Sequence, residues 1–304
     1  VQVFKEPLFR KYYAPPCSLA AVYVLGTVAA LLLVPFFMAY DPYTFWIKVN
    51  TYREQPEVAY TYQLLILAEG FRSSEPFSAF FSTMTAVNNL NHGTLRIPSH
   101  PVDTNQDGLT DRLMVNARLP LGVDEDIHSV KMLLFFRTRL RERAKVEMDT
   151  VAFVEHSSPM PGGALQADGD LLLHQTWPLS VYGGYRYPYA DELLLDVGAT
   201  TSACQALFAN ILGQYSARNL TMDFVVRHAL WTRAGGAGVA RGDEASPRWF
   251  NATVTARVNR QNVLYTPPVA EVVQDGWGKY VVMLLVVWFL LDRLSAFLFY
   301  HQVL

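Results

Sequence analysis

Two apolar stretches frame the chain, and a long alternating region separates them. Cys17 to Tyr40, CSLAAVYVLGTVAALLLVPFFMAY, runs 24 residues without a charge. As a helix it would extend about 36 Å, enough to cross a bilayer with some tilt. A secretory signal core is shorter, about 7–15 apolar residues, so the pattern predicts a signal anchor rather than a cleaved leader. Gly26 and Ala30 form a small-xxx-small pair that would admit a neighbouring helix, and Pro35 predicts a kink. Near the other end, Tyr280 to Leu291 holds only 12 uncharged residues. Extending it from Trp277 to Phe299 gives 23 residues and takes in Lys279, Asp292 and Arg293. Trp277 and Lys279 suit one interface, and Arg293 can snorkel to the other. Asp292 lies about 22 Å along the helix from Trp277. Its short side chain predicts a partner helix or headgroups beside it, not lipid tails.

Between these runs the hydrophobic period changes to two. EVAYTYQLLILAEG, RLMVNARLPL, HSVKMLLFFRTRL, RAKVEMDTVAFVEH, LTMDFVVRHALWTR and WFNATVTARVNRQNVLYT alternate, with β-branched and aromatic residues and Gly/Pro breaks. This pattern predicts many short antiparallel strands in a sandwich or curled sheet. Thr201 to Arg218 instead shows helical spacing, with Thr201 or Ser202 as the cap. PFSAFFSTMTAVNNL (76–90) is predicted as a second short helix. ADGD (167–170) is predicted as a hairpin turn, and 234–247 as a flexible loop. The Arg241-Gly242-Asp243 tripeptide in that loop reads as solvated polar chain. The expected fold is a membrane protein with two transmembrane helices and a large, mainly β, sandwich-like extracellular or lumenal domain carrying one or two short helices.

Charge assigns sides. Residues 1–16 carry Lys5, Arg10 and Lys11 against Glu6, which places this tail in the cytoplasm by the positive-inside rule. The expected partition is a cytoplasmic tail (1–16), a first span (17–40), an outer domain (41–276), a second span (277–299) and a cytoplasmic end (300–304). Both N-x-[ST] sequons, at Asn219 and Asn251, fall in the outer segment, as glycosylation there would require. A net charge of −2 supplies no basic face for nucleic acid. Cys17 lies at the edge of the first apolar run, so no bridge to Cys204 is expected and no disulfide framework is available.

The most conspicuous chemistry is DTNQDGLTD (103–111). Oxygen side chains fall at positions 1, 3, 5 and 9, with glycine at 6. Asp103, Asn105, Asp107 and Asp111, with the Leu109 carbonyl, would offer a structural Ca²⁺ its oxygens on a sharply turning chain. An EF-hand needs glutamate at position 12, and Met114 stands there. The spacing is closer to the calcium loops of β-hairpins in integrin-type propellers. The alternative is an Asx-rich turn capped by its own side chains. No metalloprotease, P-loop, dinucleotide or nucleophile-elbow motif occurs, so no enzymatic activity is expected and no other cofactor.

FWIKVNTYREQPEV, DTNQDGLTDRLMV, PMPGGALQADGDLLLHQTWPLS, YSARNLT and FLLDRLSAFLFYHQV together resemble the transmembrane protein 231 family, from about Phe4 to Val303. YREQP and the acidic loop are the most specific parts, and the Ala/Gly-rich loop at 234–246 departs most. The resemblance implies a non-catalytic subunit of the Meckel-syndrome (tectonic-like) complex at the ciliary transition zone. That complex forms a membrane diffusion barrier and supports ciliogenesis. Expected partners are meckelin, the tectonics, small multi-span proteins, cytoplasmic proteins with lipid-binding-like domains, and the lipid bilayer itself. Two other classes are compatible with the layout. One is an accessory subunit of a transporter such as a lipid flippase; the other is a calcium-dependent ectodomain receptor.

Overall fold

The computed structural model describes residues 13, 15–16, 18–40, 47–84, 95, 97–122, 124–190, 204–233 and 248–301. Its helices are α1 (Leu19–Ala39), α2 (Cys204–Ser216) and α3 (Val269–Tyr300). Its strands are β1 (Asn50–Glu54), β2 (Glu57–Arg72), β3 (Glu75–Ser82), β4 (Ser99–Val102), β5 (Arg112–Leu121), β6 (Glu125–Leu140), β7 (Val146–Gln175), β8 (Leu179–Ser180), β9 (Leu220–Arg233), β10 (Arg248–Val258) and β11 (Gln261–Thr266). The chain divides into two compact units, residues 1–48 with 267–304, and residues 49–266.

The first unit is an antiparallel pair of apolar helices, each long enough to cross a membrane. The Tyr23 hydroxyl lies 3.2 Å from Ser295 Oγ, and its ring meets Phe299 edge-on. The Tyr280 hydroxyl donates to the Leu32 carbonyl at 3.5 Å. Ser18 caps α1 by accepting from the Ala21 amide. The second helix starts at Val269, not Trp277. Its added turns are polar yet helix-compatible. Glu271 sits in the first turn, where the helix dipole favours an acid, and Asp275 pairs with Lys279 one turn on.

The second unit is a β domain. Its main sheet runs β3-β2-β6-β7-β10-β5-β4, with β9 on β7, and a small sheet runs β1-β11-β8. Pairing is antiparallel except for β7 with β10 and β8 with β11. The strands are fewer and longer than the sequence suggested, and β7 alone has 30 residues. β7 pairs with β6 up to Gly162, then continues between β9 and β10. The core therefore collects side chains from both halves of the sheet. Leu64 and Ile66, Met132 and Leu134, Leu165 and Leu171, Val115 and Leu119, and Phe250 and Val254 all join it. This is the sandwich-like layering expected of alternating strands.

β2 and β6 are buried on both faces. Leu64, Ile66, Met132 and Leu134 face the sandwich core; Leu65, Leu67, Leu133 and Phe135 face α2. This explains the unbroken apolar run QLLILA. α2 docks through Leu207, Phe208, Ile211 and Tyr215. The helical spacing expected of Thr201 to Arg218 holds over the described part; Phe208 is buried and Asn210 is exposed. The proposed caps Thr201 and Ser202 lie outside the described residues.

Two sequence expectations are corrected. Pro76 to Ser82 is strand β3, not helix, because Ala79 and Phe81 alternate with Phe80 across a two-faced sheet. Residues 85–90 of that segment lie outside the described residues. ADGD is not a hairpin turn; it lies in the middle of β7. Here Gly169 permits a close approach, since a Cβ would fall 2.5 Å from the Val225 carbonyl oxygen. The β7–β9 register slips between Asp168 and Gly169. A glycine inside a strand marks such a bulge as readily as a turn. The Arg241-Gly242-Asp243 loop lies outside the described residues.

Candidate functional site

The two stretches most specific to the resemblance meet in space. YREQP (52–56) forms the end of β1 and the passage into β2. The Gln55 side chain, nearly buried, donates from Nε2 to Asp111 Oδ1 at 3.0 Å. Asp111 also closes the acidic loop. Its Oδ2 accepts from the Thr104 amide at 2.9 Å, its amide donates to the Val102 carbonyl, and its carbonyl accepts from Val258. The Gln55 amide and the Thr104 amide hold the Asp111 carboxyl below the usual Asp range.

Glu54 is the deeper half of this junction, with 3% exposure. Its Oε1 accepts from the backbone amides of Arg141 and Glu142, and its Oε2 from the Tyr52 hydroxyl at 2.8 Å. The Tyr52 oxygen in turn accepts from the Ala144 amide at 3.1 Å. Burial pushes the Tyr52 hydroxyl well above its ordinary pKa. Arg143 donates to the Tyr265 hydroxyl and stacks on that ring, which meets Tyr52 edge-on. One carboxylate and one phenol thus organise the whole β6–β7 turn, whose free amides would otherwise be stranded. Glu57, Arg139 and Glu147 continue the network across β2, β6 and β7, with Arg139 Nη2 2.7 Å from Glu147 Oε2.

The acidic loop turns its oxygens on its own backbone. Asp103 accepts from the amides of Gln106 (2.7 Å) and Gly108 (2.9 Å). Asn105 Oδ1 accepts from Asp107 N at 3.1 Å, and Asp107 Oδ1 from Leu109 N at 2.8 Å. Asn105 Nδ2 donates to Asp107 Oδ2 at 2.9 Å. The turn requires left-handed backbone at Gln106 (φ 59°) and Gly108 (φ 82°). This is the self-capped arrangement of an Asx turn. Among the described residues no three His, Cys, Asp or Glu side chains are grouped to hold a metal ion. Asp103, Asn105 and Asp107 thus each accept from at least one amide of the loop itself.

The other predicted positions lie apart. Asn219 is exposed in the turn after α2, with Thr221 tucked beneath it on β9. Asn251 is exposed on β10, opposite Arg118 of β5 and Ala164 of β7. The small-residue pair divides: Ala30 is half-buried, whereas a Cβ at Gly26 would meet nothing within 4 Å. Gly26 is thus not packed against α3. Asp292 is exposed on α3, and its neighbour Arg293 stacks on Phe289. The roles of Tyr52, Glu54 and Gln55 were missed in the sequence. The available signal was a run of polar residues between two strands, immediately before a proline.

Comparison with known proteins agrees with the resemblance. The family described as Transmembrane protein 231 matches residues 1–304. Transmembrane protein 231 of Homo sapiens is 33% identical over 305 residues, covering 99% of this chain and 92% of that protein. The Gallus gallus protein of the same name is 33% identical, covering 100% and 92%. The Xenopus tropicalis protein is 30% identical, covering 100% and 94%. None of these names describes a catalytic activity. With two apolar membrane helices, a mainly β domain between them and a match along its whole length, the chain belongs to the transmembrane protein 231 family.

Proposed function

We propose that this protein is a non-catalytic membrane subunit of the ciliary transition-zone Meckel complex, contributing to the diffusion barrier at the ciliary base. The observation that carries this reading is the family match along the entire chain, both helices and β domain included. The residues support an assembly role. The polar groups of the β1–β2 junction and of the acidic loop are spent on holding strands and turns, as Glu54 and Asp111 illustrate. The lipid-length helices leave Gly26 and Asp292 exposed for neighbouring spans. The termini are assigned to the cytoplasm from Lys5, Arg10 and Lys11, and the β domain to the outer side, where Asn219 and Asn251 would carry glycans. Its neighbours are meckelin, the tectonics and small multi-span proteins, with lipid-binding-like domain proteins on the cytoplasmic side.

Imaging of the tagged full chain in ciliated cells tests this reading. A ring at the ciliary base, with loss of cilia or of ciliary membrane receptors on depletion, is expected. An even distribution over the plasma membrane, with normal cilia on depletion, would overturn it.

A further inference from the structure

The small sheet holds the strands that adjoin both membrane helices along the chain. β1 begins at Asn50, after α1, and β11 ends at Thr266, joined to α3 by Pro267 and Pro268 alone. β8 lies parallel to β11, with Leu179 opposite Tyr265 and Ser180 opposite Thr266. Both strands therefore end side by side, at the point where the chain continues to Pro267. From Thr266 the path to Trp277 spans at most about 22 Å, three extended residues and eight helical ones. Covalent connectivity alone thus keeps the end of β11, with β8 paired beside it, within about 22 Å of Trp277, a residue suited to a membrane interface.

Beyond Ser180 the chain makes a turn with an unusual exposed face. Tyr182 is 55% exposed, Tyr185 44% and Tyr187 57%, and Trp177, just before β8, is 66% exposed. Gly183 (φ 100°) and Gly184 (φ 74°) allow the reversal between the first two tyrosines. Cations stand behind the rings. Arg186 donates to the Tyr182 carbonyl at 2.8 Å, and Lys145 lies 5.9 Å from the Tyr185 ring centre. The turn is braced, not loose. The Arg186 amide donates to the Lys145 carbonyl at 3.0 Å, and the Glu147 amide to the Arg186 carbonyl at 2.9 Å. Tyrosine and tryptophan side chains with an apolar ring and a wet polar tip, beside snorkelling cations, are the composition of a membrane–water interface.

We propose that the turn at residues 181–187 rests on the bilayer surface, with Tyr182 and Tyr185 at headgroup depth. The lipid surface would act as a third attachment besides the two helices. This requires only that α1 and α3 cross the membrane, and it stands or falls independently of the ciliary assignment.

The test uses the full chain in phosphatidylcholine nanodiscs, with Cys17→Ser and Cys204→Ser. A nitroxide is attached at Tyr182→Cys and, as a control, at Glu75→Cys. Glu75 lies beyond the far end of β2, about 50 Å of extended strand from Glu57. The ratio of oxygen to aqueous nickel-chelate accessibility is expected to be several-fold higher at 182 than at 75. Hydrogen exchange of 177–190 in nanodiscs should also accelerate several-fold in Tyr182→Ser/Tyr185→Ser, with β5 and β6 unchanged. Equal accessibility at 182 and 75 would overturn the proposal. So would protection of the turn that arises only when a partner protein is added.

Discussion

Two acidic regions of the β domain do opposite things with their carboxylates. Asp103 to Asp111 gathers oxygen side chains at the surface and spends most of them on amides of the same nine residues. Glu54 is a single acid with 3% exposure, yet it joins the end of β1 to the turn between β6 and β7. The first is conspicuous in the sequence and local in effect. The second is inconspicuous and holds segments some 87 residues apart. Burial decides the difference. A carboxylate in low dielectric must be fully hydrogen-bonded, and its loss strands every donor that faced it.

Replacing these residues in turn would break or sharpen that contrast. Glu54→Ala leaves the Arg141 and Glu142 amides and the Tyr52 hydroxyl without their acceptor. A loss of about 3–5 kcal/mol is expected, read as a fall of about 10 °C or more in melting of the purified full chain. Recovery of wild-type melting in this variant would show that the junction does not hold the domain. Tyr52→Phe strands the Ala144 amide and takes the phenol donor from Glu54 Oε2, and should cost about 1–3 kcal/mol by the same measurement. Gln55→Ala removes the side-chain bond from Gln55 to Asp111 that joins the two regions, at about 1 kcal/mol. Combined with Asp111→Ala, its effect should be less than additive, because both remove the same contact.

The Asp111 carboxyl gives a pH signature. Its folded pKa is depressed, so its contribution is fully present above the ordinary Asp value of about 3.9. It is lost as pH falls through the depressed folded value. The expected difference between wild type and Asp111→Asn therefore shrinks on acidification below that range and is constant from pH 5 to 7. Smallest of all is Asp107→Ala, which releases only the Leu109 amide and Asn105. Its melting should fall slightly, and by the same amount with calcium or with chelator. A chelator-dependent fall in wild type would instead favour a calcium loop.

Much of this architecture was legible in the sequence. Charge-free length marked the first span, a short apolar run flanked by Lys279, Asp292 and Arg293 marked the second, and the period-two pattern marked β2, β5, β6, β9 and β10. The longer span of α3 was obscured because Glu271, Asp275 and Lys279 stop a hydropathy run without stopping a helix. Asp168-Gly169 was misread because local turn chemistry cannot report that Val225 approaches from β9. The acidic loop was legible as a turn, but whether its oxygens face an ion or their own amides depends on geometry that spacing leaves open. The Glu54 junction was invisible, since its partners at 141–144 are backbone amides and carry no sequence signature.

The claim that this is an assembly subunit of the Meckel complex is tested most directly by affinity purification of the tagged full chain from ciliated cells, with mass spectrometry of what accompanies it. Meckelin and the tectonics are expected at comparable abundance to the chain, and at unchanged abundance with Asp107→Ala. Recovery of the chain alone, or with a P-type ATPase in their place, would contradict it.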